Sequence, residues 1–159
     1  VGYTSEKDLL LEIVEKIKSA NKREHTKIHF TRTGDENLSF KDRIALINSF
    51  EPDAVISLHI NTNTDTSLQG AEIILAESNL AYLKSVRIAE KMKLAFNASE
   101  VYENTTIKNA NHYLLKHLET PAATVALGYL SNASDLLTLT SEEGQHQIAE
   151  TLIAAIEAF

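Results

Sequence analysis

The sequence contains no cysteine. That excludes a disulfide framework, a thiolate metal site and a cysteine nucleophile. Any metal must be held by His, Asp or Glu, a donor set that suits zinc. Positive charge is also short. Lys and Arg number 15 against 22 Asp and Glu, for a formal net charge of -7. A nucleic-acid partner or an anionic membrane surface would gain no attraction from that balance. No apolar run approaches the roughly 20 residues that span a bilayer. No signal-peptide pattern opens the chain, so a mature or trimmed form is an expectation. Internal repeats, low-complexity tracts and interdomain linkers are lacking too. What is there amounts to 159 residues, 43% hydrophobic and 23% charged. That is one domain's worth of chain with enough apolar material for a core.

Taken in order, the chain alternates strand and helix patterns. Val1 to Thr4 gives no element of its own. Ser5 reads as an N-cap, with Glu6 and Asp8 in the first turn, where acids suit the helix dipole. Leu9, Leu10, Ile13, Val14 and Ile17 then recur at helical spacing, predicting an amphipathic helix over 6–21. Glu6 on local grounds is a surface acid complementing that dipole. Lys27 to Thr31 reads as a strand with His29 facing away from the core, and 32–35 as a loop. Ser39 caps a second helix over 40–50, with Ile44, Ile47 and Phe50 inward. Arg43 on it offers a clamp for a carboxylate, although a solvated charge is the commoner fate. Residues 71–75 form a strand opened by Gly70, and 79–96 a long helix carrying Leu80, Leu83, Val86, Ile88, Met92 and Leu94. Residues 97–111 read as polar and irregular. His112 to Leu118 is a short mixed segment. Its two histidines are five apart, not a helical metal pair, and are expected at the surface or rim. Pro121 precedes a buried strand over 122–127, which Gly128 breaks. A helical turn over 134–139 and a final helix from Ser141 to Phe159 complete the chain. This alternation predicts a three-layer α/β domain with a mostly parallel twisted sheet flanked by helices.

The most informative stretch is Asp53 to Asn61, an apolar, β-branched run ending in a lone histidine. Strand alternation puts Ser57, His59 and Asn61 on one face and Leu58 and Ile60 on the other. Open α/β sheets build sites at the C-terminal ends of such strands. A core histidine satisfied by one hydrogen bond fits this stretch equally well. The polar loop Asn61 to Gln69 lies just past the strand end, where loops commonly carry function.

Four motifs occur in order along this frame. They are Ser5-Glu6-Lys7-Asp8-Leu9; Phe30-Thr31-Arg32-Thr33 with Asp35 and Arg43; Ser57-Leu58-His59-Ile60-Asn61 followed by Gly70; and Pro121 to Asn132 with Leu136-Leu137 and the last helix. Together they span nearly the whole chain. In that order it resembles the zinc-dependent N-acetylmuramoyl-L-alanine amidases of the amidase-3 type, which are cell-wall hydrolases. The resemblance implies that Glu6 and His59 are zinc ligands and that Asn61 contacts substrate. Three protein ligands and an open fourth position would let the metal activate water and polarise an amide. The resemblance also implies two departures. The family's first strand, ending in Asp-x-Gly-His-Gly-Gly and carrying the first zinc ligand, has no counterpart, and Val1-Gly2-Tyr3 is too short to replace it. The family's general-base Glu falls at Ala126, which can neither take nor give a proton. Glu72, Glu103 and Glu119 are near in sequence without matching that position. Loss of a general base typically costs about 10²–10⁴-fold in rate.

The expected function is therefore zinc-dependent hydrolysis of the N-acetylmuramoyl–L-alanine amide, impaired in this chain. The partner is peptidoglycan or a muropeptide, with a periplasmic envelope or extracellular location following from that substrate alone. The alternative of another class is a catalytically inactive pseudo-amidase that binds peptidoglycan or a protein. A structural domain without ligand is the third reading.

Overall fold

Ser5 begins the first helix as expected. Its hydroxyl oxygen accepts the Asp8 N–H at 3.2 Å, and helix α1 follows over Glu6–Ala20 with Leu9, Ile13 and Ile17 buried. The computed structural model describes residues 5–159; the expectation for Val1 to Thr4 lies outside them. The elements after α1 are α2 (Phe40–Ser49), β1 (Val55–Asn61), β2 (Ala71–Leu75), α3 (Tyr82–Ser99), β3 (Thr105–Asn109), α4 (Tyr113–His117), β4 (Ala122–Tyr129), α5 (Ala133–Thr140) and α6 (Glu142–Glu157). Side-chain caps recur: Ser39, Asn132 and Ser141 accept N–H groups at the starts of α2, α5 and α6. Each satisfies donors that a helix start leaves open.

The four strands form one sheet in the order β1-β4-β2-β3. β1 pairs with β4 and β2 with β3 in parallel, while β2 and β4 run antiparallel. All eight residues of β4 are buried, which is why its sequence is a continuous small and apolar run rather than an alternating one. One sheet face carries Ala123, Val125, Leu127, Ile73 and Leu75 against α1, α3, α5 and α6. On the other, Val55, Ala76 and Ala122 pack with Ile47 of α2 and Leu114 and Leu115 of α4. The α/β architecture with helices on both faces is the expected one.

Several local expectations need correction. Lys27 to Thr31 forms no strand and pairs with none among the described residues; a strand needs a neighbour, and none of the described strands pairs with it. The supposedly irregular 97–111 contains β3, an edge strand that is mostly exposed. The long helix starts at Tyr82 rather than 79, and Leu80, Leu83 and Leu94 are exposed. Its buried face is instead Ser85, Ile88, Ala89, Met92 and Phe96. β4 runs through Gly128 to Tyr129: that glycine, at φ +90°, sits where the register against β1 shifts between the His59–Ala126 and Asn61–Tyr129 pairs, and pairing resumes at Tyr129.

Gly70 also sits at positive φ, +93°, and a Cβ there would lie 2.3 Å from the backbone oxygen of Asn104. Gly70→Ala is therefore expected to lower stability by at least about 2 kcal/mol. The reading is a fall in the urea midpoint at unchanged slope; an unchanged midpoint would contradict the close approach.

Candidate active site

Register places three side chains in one row across the sheet. His59 of β1 pairs with Ala126 of β4, and Ala126 pairs with Glu72 of β2. Directly paired residues share a face, so an imidazole, a methyl and a carboxylate line up above the same surface. Helix α1 brings Glu6 to the β1 end of that row. Its Oε1 accepts the Ile60 N–H at 3.0 Å and lies 3.3 Å from His59 Nδ1. Both side chains remain about half exposed to solvent. A cleft of about 320 Å³ lies over this row, walled by Asn61, Lys108 and His112 as well.

Glu72 is the most tightly held group of the cleft. It accepts from Lys108 Nζ at 2.6 Å, Asn61 Nδ2 at 2.8 Å and the Tyr129 hydroxyl at 3.0 Å. Burial opposes its ionisation, but these donors outweigh that and hold its carboxyl below the ordinary glutamate range. The same burial and the Glu72 charge push the Tyr129 hydroxyl up. His112 stands across the cleft, with Nδ1 at 3.3 Å from Thr124 Oγ1. Burial first, then the electrostatic influence of His59 and Lys108, pulls it below the ordinary histidine value. Behind the row, Asp135 Oδ2 accepts the N–H groups of Gly70 at 2.8 Å and Tyr129 at 2.9 Å. That buried carboxylate ties the start of β2 to the end of β4. Burial raises its pKa, partly offset by the two N–H donors.

The sequence-predicted residues Glu6, His59, Asn61 and Ala126 thus come together at one end of the sheet. Glu72, Lys108, His112 and Tyr129 were not among them. The antiparallel pairing that sets Glu72 beside Ala126 joins residues far apart in sequence, and only Gly70, which starts the strand two residues earlier, marked the place. Glu103 and Glu119 do not line this cleft. Among the described residues no three His, Cys, Asp or Glu groups lie close enough to hold a metal ion. Glu6 and His59 supply two donors, so the described donors do not by themselves complete a zinc site.

The sequence profile described as N-acetylmuramoyl-L-alanine amidase matches residues 1–158. The chain belongs to the amidase-3 family. Among relatives, the Bacillus subtilis protein YqiI is 25% identical over 154 residues, covering 97% of this chain and 74% of that protein. The germination-specific N-acetylmuramoyl-L-alanine amidase of Bacillus subtilis is 24% identical, covering 98% and 70%. The probable cell wall amidase LytH of Staphylococcus saprophyticus is 22% identical over 98% of this amidase-3 chain, which spans only 50% of LytH. Among solved structures, the catalytic domain of CwlV from Bacillus (Paenibacillus) polymyxa superposes with a TM-score of 0.87 at 24% identity, covering 98% of this chain and 85% of CwlV. The N-acetylmuramoyl-L-alanine amidase of Clostridium difficile 630 gives 0.89 at 24%, covering 98% and 83%. These superpositions establish the amidase-3 fold.

The Glu72 cluster makes a measurable claim. A carboxylate with a folded pKa below its unfolded value contributes stability above the unfolded pKa and loses it as pH falls through the folded one. Glu72→Gln is expected to cost about 1–3 kcal/mol at pH 7, because Lys108 and Tyr129 lose a charged partner. The difference from the parent should shrink toward zero once pH drops well below about 4. Paired denaturant titrations at pH 7 and pH 3 check it; a pH-independent difference would contradict the assignment.

Proposed function

We propose that this amidase-3 domain engages peptidoglycan at the amide joining the N-acetylmuramic acid lactyl group to L-alanine, and that hydrolysis by it is severely reduced. The observation that carries this reading is the row His59–Ala126–Glu72 with Glu6 beside His59. Two adjacent donors of zinc-compatible type stand at a strand end, and a methyl group stands between them and the nearest cleft carboxylate. Zinc belongs to this proposal through Glu6 and His59, with a third donor coming from outside the described residues. Ala126 is fully buried at the cleft floor, and its methyl group can neither take nor give a proton. Asn61 is proposed to meet substrate from the same strand end, oriented by its hydrogen bond to Glu72. A cell-envelope or extracellular location goes with this substrate. No helix among the described residues is long and apolar enough to cross a membrane.

A second reading is favoured by the same alanine: a binding module that holds peptidoglycan without cutting it. Retention on insoluble sacculi with no soluble muropeptide released supports it.

Ala126→Glu discriminates the two. The added carboxylate would enter the cleft opposite Glu72, and like charge would raise its pKa toward that of a working base. Under the hydrolytic reading, muropeptide release from sacculi with added zinc should rise by about 10²-fold or more. Release unchanged by the substitution, with sacculus binding intact, would exclude Ala126 as the limiting position and leave the binding module. Loss of both would overturn the peptidoglycan reading.

A further inference from the structure

The cleft wall formed by His112 continues outward into aromatic rings. His112 is the N-cap of α4 and lines the cleft, and Tyr113 follows it as the first residue of the helix. The Tyr113 ring stacks on that of His117, with centroids 4.0 Å apart. On α2, the Phe40 ring lies 5.3 Å from the Tyr113 ring at an interplanar angle of 46°. His117 Nδ1 is 2.8 Å from the Tyr113 carbonyl oxygen. That oxygen can only accept, so Nδ1 donates and Nε2 is left for another hydrogen bond. Phe40 and Tyr113 stay 57% and 52% exposed although they touch each other. The core beneath these helices is filled by Ile47, Leu114 and Leu115, so the rings are not needed there. Exposed apolar residues scattered singly are ordinary, but a joined set beside a cleft is the kind of patch that marks recognition.

Substrate chemistry decides what meets these rings. In the amide proposed above, the lactyl group joins the carbonyl to a pyranose ring through a few bonds, and L-alanine begins a peptide on the other side. With the amide in the cleft, sugar and peptide must leave over different rims. The rim at β2 and β3 carries the ion pair of Glu72 and Lys108, a charged set suited to peptide groups. The α4 rim carries the rings. A pyranose presents a face of C–H groups, which is favourably removed from water against the electron-rich face of an aromatic ring. Its hydroxyls need partners such as His117 Nε2. Lys41 and Lys116, exposed on the same two helices, disfavour a cation on these rings. We propose that Phe40, Tyr113 and His117 form a saccharide subsite on which the sugar nearest the amide stacks. The glycan then leaves the cleft over α4 and α2, and the peptide over β2 and β3. The inference rests on the peptidoglycan reading and adds the direction in which that substrate crosses the cleft. Rings already packed on one another lose little freedom on binding, which favours affinity.

The probe is peptide-free glycan of alternating N-acetylglucosamine and N-acetylmuramic acid, titrated into the intact protein by NMR beside a free stem peptide beginning with L-alanine. Phe40→Ala and Tyr113→Ala together are expected to weaken glycan binding by about tenfold and to leave stem-peptide binding unchanged. Both positions are exposed, so the double variant should keep the parent's thermal midpoint. Tyr113→Phe keeps the ring and should keep the glycan affinity; a loss equal to that of Tyr113→Ala would mean hydroxyl bonding rather than stacking and would overturn the proposal. Glycan affinity unchanged in the double variant overturns it, as does an equal loss for both probes. Absence of glycan binding by a parent that is still retained on sacculi overturns it too, while sparing the peptidoglycan reading. A parent that does not bind sacculi overturns that reading and this inference with it. A dimer that the double substitution dissociates would assign the rings to a second copy, and also overturns it.

Discussion

The register of β4 against its two neighbours is the constraint on which the rest depends. Parallel pairing with β1 sets Ala126 opposite His59, and antiparallel pairing with β2 sets it opposite Glu72. Side-chain period in a strand is two, so a one-residue slip of β4 would turn Ala126 away from the cleft and carry Val125 into it. Burial on both faces guards against that slip. Val125 and Leu127 face the large core while Ala122 faces the small one, and the reverse arrangement would bury fewer apolar atoms. The cleft is thus a by-product of how the core must be filled.

Around that register, two carboxylates do opposite jobs. Asp135 is buried and accepts two backbone N–H groups, fixing where β2 begins and β4 ends. It also lies against Gly128, where a Cβ would come within 2.9 Å of its oxygen, which explains a glycine at positive φ inside a strand. Glu6 is half exposed and holds one strand-end N–H while standing next to His59. The first carboxylate is structural because every oxygen contact is to backbone. The second leaves donor capacity facing solvent, which a metal or substrate needs. Glu72 lies between these cases: it is ionised and held by three donors, so it shapes the field of the cleft more than it offers a free base.

Much of this was legible in the sequence where local signals and packing agree. Ser5, Ser39 and Ser141 mark helix starts because the cap hydrogen bond is made within three or four residues. His59 was placed on the cleft face by alternation alone. The failures share a physical cause, which is dependence on a distant neighbour. Lys27 to Thr31 has strand composition, but strands are completed by partners and it pairs with none among the described residues. β3 was missed because an edge strand such as Thr105–Asn109 buries little and so carries little pattern. Leu80, Leu83 and Leu94 suggested an inward face that the helix does not use, since Ser85, Ala89 and Phe96 occupy it. Glu72 entered the cleft through a pairing that no spacing rule predicts. Glu6 looked like a dipole-complementing acid, and the structure adds the Ile60 N–H and His59 as its partners.

The central proposal is that Glu6 and His59, adjacent at the end of β1, act together as one metal-binding pair. Calorimetric titration of the purified protein with zinc tests it most directly, beside Glu6→Ala and His59→Ala and the double substitution. The account predicts that either single substitution weakens zinc binding about as much as both together. Identical zinc affinity in the parent and both single variants would contradict it.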